Sequence, residues 1–228
     1  MKHLHFFSAQ LDQFTILAEQ YNYYLVLLSY VAACLAGFCA SSVYQYISIR
    51  PVNTKTRLLT FYSGLTLGLG IWSMHFIGML AFSLDIEIRY DIPITILSIL
   101  PAIIGSTITL FTIKHKQNKP LTLFLASGIL AISIATMHFI GMEAMIMNAH
   151  MAHELWYFIL AIAASWALAY LTILAIKNQL PIKALSAYPM MYSIIASISF
   201  GFSVATMHYL AMFSTFFIKT DETILNRG

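Results

Sequence analysis

The chain has 228 residues, of which 60% are hydrophobic and 9% charged, with a formal net charge of +3. An ordinary soluble domain carries about 25% charged residues, so these values exclude a soluble globular fold, and the same apolar excess excludes intrinsic disorder. The small basic surplus forms no stripe for nucleic acid, and two cysteines, Cys34 and Cys39, build neither a disulfide framework nor a thiolate zinc site.

Residues 1–21 form an N-terminal segment with no sustained apolar core of the signal-peptide kind and a weak pattern for a short surface helix. Six uncharged apolar stretches follow, at 23–47, 58–83, 92–113, 121–142, 155–176 and 188–218. Each is long enough to cross a hydrocarbon core, which takes about 20 helical residues. Cys34 and Cys39 lie in the first stretch and read as small buried hydrophobes. Pro51, Pro120 and Pro181 fall in connections, Pro93 and Pro189 in first helical turns, and Pro101 predicts a kink in the third span. The expected fold is an all-α membrane domain over residues 22–218, with six transmembrane helices and a C-terminal tail at 219–228.

Charge gives the expected orientation. The connections after spans one, three and five hold Arg50, Lys55, Arg57, Lys114, Lys116, Lys119, Lys177 and Lys183 and no acidic residue, which marks them as cytoplasmic. All nine acidic residues fall on the other side, so the N- and C-termini are expected outside.

Spans two, four and six share one motif. It reads Met74-His75-Phe76-Ile77-Gly78-Met79, then Met137-His138-Phe139-Ile140-Gly141-Met142, then Met207-His208-Tyr209-Leu210-Ala211-Met212. Chance would supply about 0.02 matches to Met-His-x-x-x-Met in a chain of this composition, so three copies mean a repeat architecture of three helix pairs. On a helix the Met four residues after each His lies about 40° from it, while the preceding Met flanks it at about 100°. Small residues seven and eleven positions earlier (Gly68, Ala131, Gly201; Gly64, Ser127, Ser197) lie near the same face and predict a tight seam between motif helices.

A lone membrane histidine or methionine is as readily structural as functional, but three equivalent histidines at one depth favour a shared site. Imidazole and thioether are uncharged, can be buried without the cost of a carboxylate, and bind soft metal ions. The expected primary ligands are His75, His138 and His208, with Met79, Met142 and Met212 next and Met74, Met137 and Met207 flanking. Copper, especially Cu(I), suits this set best. Zinc through the histidines and haem between two of them remain alternatives, as does the number of ions.

These motifs, their places on alternate helices and the opening Tyr24-Leu25-Val26-Leu27-Leu28-Ser29-Tyr30 resemble the MHYT family of bacterial integral-membrane sensor domains. The resemblance runs over about residues 21–217. It implies a plasma-membrane domain of paired helices, copper near the outer face, and sensing of oxygen, carbon monoxide or nitric oxide. It also implies output through cyclic-di-GMP or DNA-binding domains, either in a longer chain or in a separate partner protein. Only Met and His persist in all three copies, because the Tyr of the family motif is Phe76, Phe139 and Tyr209 here and its Thr is Ile77, Ile140 and Leu210.

After span four, Met147, His150, Met151 and His153 form a second feature: an accessory metal-loading site if helical, with a polar surface loop as the favoured reading. Tyr21, Tyr23, Tyr24, Tyr90, Trp156 and Tyr157 fit interfacial belts. Sensing ranks above copper handling or transport, since the cytoplasmic halves of the spans hold no His or Met ladder. Catalysis ranks last, because Glu143, the carboxylate beside a motif, points about 140° away from His138.

Overall fold

A computed structural model describes residues 5–6, 17–115, 119–180 and 189–219. Its helices are α1 (Tyr23–Ser48), α2 (Thr54–Ala81), α3 (Ile92–Leu97), α4 (Ile99–His115), α5 (Pro120–Glu143), α6 (Leu155–Ile176) and α7 (Pro189–Phe213). Together they give six spans long and apolar enough to cross a membrane, α3 and α4 forming one of them. The expected kink of that span is a break at Ser98, one turn before Pro101. Pro101 has no N–H for the Leu97 carbonyl, and Ser98 compensates locally, its N–H reaching Ile94 O and its hydroxyl Thr95 O at 2.7 Å.

Short strands flank the helices: β1 (His5–Phe6), β2 (Gln20–Tyr21), β3 (Phe82–Ser83), β4 (Arg89–Tyr90), β5 (Met145–Ile146), β6 (Ala149–His153) and β7 (Thr215–Lys219). β2 pairs with β3, β4 with β5 and β6 with β7, all antiparallel, while β1 adds to β6 in parallel. Each repeat is therefore strand–helix–helix–strand, closed by its own first and last strands. The closure repeats to the atom: the backbone N–H of Asn22, Asp91 and Glu154, each the cap before a repeat's first helix, donates to Ala81, Ala144 and Ser214 O at 2.8 Å.

Three expectations are corrected here. The sixth span ends at Phe213 rather than 218, because Thr215–Lys219 leave the helix to pair with β6. Residues Ala149–His153 are a strand, neither helix nor loop. Cys39 is exposed on the outer surface of α1 and Cys34 is half-buried, so neither is a buried core residue. The expected N-terminal surface helix falls largely outside the described residues, and its described parts are the strands His5–Phe6 and Gln20–Tyr21 and the irregular residues 17–19. The tail after 219 lies outside them too.

The helices close into a ring in the order α1, α2, α4, α5, α6, α7, and the three motif helices α2, α5 and α7 also meet one another inside it. Their most apolar windows are 56%, 61% and 56% buried, against 28%, 33% and 39% for the other spans, so the motif helices form the core. Register fills the axis with layers. Four and eight residues before the histidines stand Ile71, Ile134 and Val204, then Leu67, Leu130 and Phe200, all buried. At the opposite end the lysines close the first helices of the pairs: Lys114 Nζ donates to Ile47 O at 2.7 Å and Lys177 Nζ to Ile113 O at 2.9 Å, cations on helix C-terminal carbonyls.

The small residues of the motif helices do not line a central seam, as the sequence suggested. A Cβ on Gly64 or Gly68 would stand 2.6 Å from backbone of α4 (Thr107 and Ile103 Cα), Ser127 accepts from Trp166 Nε1 of α6 at 3.0 Å, Ser197 donates to Cys34 O of α1 at 2.6 Å, and a Cβ on Gly201 would strike Cys34. The motif helices converge at the strand end and diverge below it, so the same face meets the first helix of a neighbouring pair. Of the expected interfacial aromatics, Tyr23, Tyr24, Trp156 and Tyr157 are exposed, whereas Tyr21 and Tyr90 pack inward against the strand-end cluster.

Candidate metal centre

Each histidine stands six residues before the C-terminal closure of its helix pair, about 9 Å below it at 1.5 Å per residue. The three rings are 0%, 1% and 2% exposed. Their Nδ1 atoms form a triangle with sides of 3.1 Å (His75–His208), 3.2 Å (His138–His75) and 3.3 Å (His208–His138). The rings stand nearly perpendicular to one another, centroids 5.0 to 5.3 Å apart.

Two contacts set each ring. The aromatic residue that follows holds it edge-on: Phe76 at 4.7 Å, Phe139 at 5.0 Å and Tyr209 at 4.6 Å. The small motif residue of a neighbouring helix gives it room, since a Cβ on Gly141 would lie 2.3 Å from His75 Nε2 and one on Gly78 2.6 Å from His208 Nε2. The motif aromatics also tie each motif helix to a first-of-pair neighbour. Phe76 meets Tyr90 and Trp72, whose Nε1 donates to Thr95 O, while Phe139 packs on Phe158. Tyr209 does the same through its hydroxyl. Ser29 commits its proton to Val26 O, so at the 2.8 Å contact Tyr209 donates to Ser29 Oγ.

The triangle cannot be satisfied by hydrogen bonds alone. In a neutral imidazole each nitrogen is either a donor or an acceptor, and donors and acceptors cannot alternate around a ring of three. Charging a ring would place an ion in a buried site whose ligating group holds no carboxylate, at high desolvation cost. A central cation would instead take all three lone pairs. Its distance to each nitrogen, the side divided by √3, is about 1.8 to 1.9 Å, a little under metal–imidazole bonds of about 2.0 Å and reached by a small outward shift of the rings. The donor set therefore fits a transition metal ion. Haem does not fit, because rings this close leave no width for a macrocycle. The Nε2 atoms have no hydrogen-bond partner among the described residues, so packing orients these rings where second-shell hydrogen bonds usually do.

The methionines divide into two groups. Met74, Met137 and Met207 lie in the main apolar core, essentially inaccessible. Met79, Met142 and Met212 form a separate cluster toward the strands with Phe82, Phe217, Met145 and Met151. Sequence reasoning missed Met145; the signal was its place seven residues after His138, just beyond the helix end. The second feature is regrouped by its strand, in which Met151 and His153 are buried while His150 is exposed. His153 packs edge-on against Phe139 at 5.7 Å, and burial lowers its pKa. Glu143 ends α5, half-exposed.

A family profile described as "MHYT: Bacterial signalling protein N terminal repeat" matches residues 68–126 and 132–187. Among curated proteins, the cyclic di-GMP phosphodiesterase NbdA of Pseudomonas aeruginosa is 32% identical over 205 residues, 90% of this chain and 26% of that protein. The signaling protein YkoW of Bacillus subtilis is 30% identical over 87% of this chain and 24% of its own length. The bifunctional diguanylate cyclase/cyclic di-GMP phosphodiesterase MucR of Pseudomonas aeruginosa is 30% identical over 86% and 28% respectively. The chain thus spans about a quarter of the length of these three relatives. No solved structure matches it.

Proposed function

The chain belongs to the MHYT family of bacterial signalling proteins and is a multi-pass membrane sensor module; from the histidine triangle we propose that it holds a copper ion and responds to a diatomic gas. The supporting observation is the odd-membered ring of Nδ1 atoms, which a cation relieves and protons cannot. In this reading His75, His138 and His208 supply nitrogen, Met79, Met142 and Met212 supply thioether sulfur one turn away, and Met74, Met137 and Met207 flank the rings. Copper bound there would supply soft coordination with an exchangeable position for oxygen, carbon monoxide or nitric oxide.

The chain's own residues do the rest. The apolar layers beneath the triad exclude water from it. Because His75 and His208 each lie in a slot made by another motif helix, a change in ring spacing is felt by α2, α5 and α7 together. Those helices reach the basic end, where an output domain of a longer chain or a separate partner would read the shift. The basic end faces the cytoplasm, so the site and both termini of the module lie toward the outside. This role asks no catalysis of the module. Transport of copper is the weaker reading, since Ile71, Ile134, Val204, Leu67, Leu130 and Phe200 close the axis below the triad.

The test is metal analysis of protein purified under reducing, copper-replete conditions beside His75→Ala/His138→Ala/His208→Ala. Copper in the parent and its loss from the folded variant are expected. Equal copper in both, or none in the parent, overturns the metal reading.

A further inference from the structure

The triad has unlike neighbours along the bundle axis. On the basic side the layers four and eight residues below it are aliphatic and aromatic, and offer a cation no ligand. On the strand side it meets sulfur: five of the seven buried residues of that cluster are methionines, against three of twenty-six in the main core. Met147 packs on the same cluster, half-buried. The repeated motif accounts for Met79, Met142 and Met212 but not for Met145 of β5 or Met151 of β6. These two reach the same cluster from the strands that cover it.

Strand geometry adds a nitrogen. Side chains two apart on a strand share a face, so Met151 and His153 are placed together on the buried side of β6. Thr215 Oγ1 gives its proton to Ala211 O at 2.8 Å, so the 2.9 Å contact with His153 is an Nδ1–H donation to Thr215 Oγ1. The lone pair of the neutral ring is therefore on Nε2.

We infer that Met145 and Met151, with His153 at the rim, extend the three motif methionines into a binding station for a soft monovalent cation, Cu(I) or Ag(I), on the way from the strand end to the histidine triad. Thioethers are neutral and polarizable, and they discriminate against hard divalent ions by ligand softness. The direction of transfer rests on the triad being the resident metal site; binding at the sulfurs does not.

The experiment uses Ag(I) on the purified full chain in lipid nanodiscs, with X-ray absorption at the silver edge. Sulfur neighbours are expected, fewer of them in Met145→Leu/Met151→Leu; a shell of nitrogen and oxygen alone, or an unchanged sulfur shell in that variant, overturns the station. Met145→Leu/Met151→Leu, which conserves volume and leaves the triad intact, should load Cu(I) from a chromophoric chelate about tenfold more slowly, the lower end of the loss seen on removing supporting ligands. The nitrogen shell of its bound copper, read by X-ray absorption at the copper edge, should match the parent's, because the triad is untouched. An unchanged loading rate overturns the route. Sulfur-bound silver together with no copper on nitrogen leaves the station standing and removes the triad reading, while nitrogen-only binding does the reverse.

Discussion

At His75 the ring has almost no freedom: Phe76 stands against one side and the bare Cα of Gly141 lies beneath Nε2. Gly141→Ala would put a methyl where only 2.3 Å is open. We expect it to displace the ring, cost about 1–3 kcal/mol as overpacking does, and weaken copper binding, read by thermal melting and copper titration. The third motif already carries a methyl at Ala211, so Ala211→Gly should retain binding at a cost of about 1 kcal/mol in helix propensity. His153 makes a second residue-scale test. Its folded pKa is lowered from 6.5 by burial, so the unfolded chain takes up its proton first. The His153 contribution is intact above about pH 6.5 and is lost as pH falls through the lowered folded value. His153→Asn keeps an amide donor for Thr215 without a titrating ring, and its melting temperature should fall less steeply on acidification than the parent's; parallel curves would refute this. The histidines themselves were legible in the sequence because a triple motif cannot arise by chance. Their triangle was not, since helical phase alone does not say which nitrogen faces inward.

Among the elements, the six spans were readable because each is an uncharged run of bilayer length. The strands were hidden by their size: β3 and β5 have two residues each, too few for any alternation to show. The overrun of the sixth span has a different cause. Thr215-Phe216-Phe217-Ile218 is apolar enough to prolong a helix and β-branched or aromatic enough to form a strand; only the equivalence of Ser214 with Ala81 and Ala144, each six residues after its histidine, marks the stop. Register also explains why the glycine stripe was assigned to the wrong partner. The face that meets other motif helices at His75 meets α4 three turns lower, where a Cβ on Gly64 would lie 2.6 Å from Thr107 Cα. Since that obstacle is backbone, Gly64→Ala must push α2 from α4. We expect a loss of about 1–3 kcal/mol, with reduced thermal stability even in copper-free protein, whereas a stripe serving only the metal site would affect the loaded form alone.

For the whole molecule, three near-equal repeats close a ring whose two ends differ chemically. One end carries the strands, the thioether cluster and the acids Asp85, Glu87, Asp91 and Glu154; the other carries Arg50, Lys55, Arg57, Lys119 and the lysines bonded to helix ends. Insertion responds to Lys and Arg in short loops and hardly to Asp and Glu, so the basic end is expected in the cytoplasm and the histidine triad within about 9 Å of the outer helix ends. Single cysteines test this in a background with Cys34 and Cys39 replaced by alanine. Glu87→Cys lies on the strand side and removes only an exposed pair with Arg89, a kind of contact worth little to stability; Lys55→Cys lies exposed on the basic side. A membrane-impermeant maleimide applied to spheroplasts should label the first directly and the second only after permeabilisation. The opposite pattern would invert the bundle, placing the thioether cluster on the cytosolic side, so that any Cu(I) reaching the triad would report the internal copper pool.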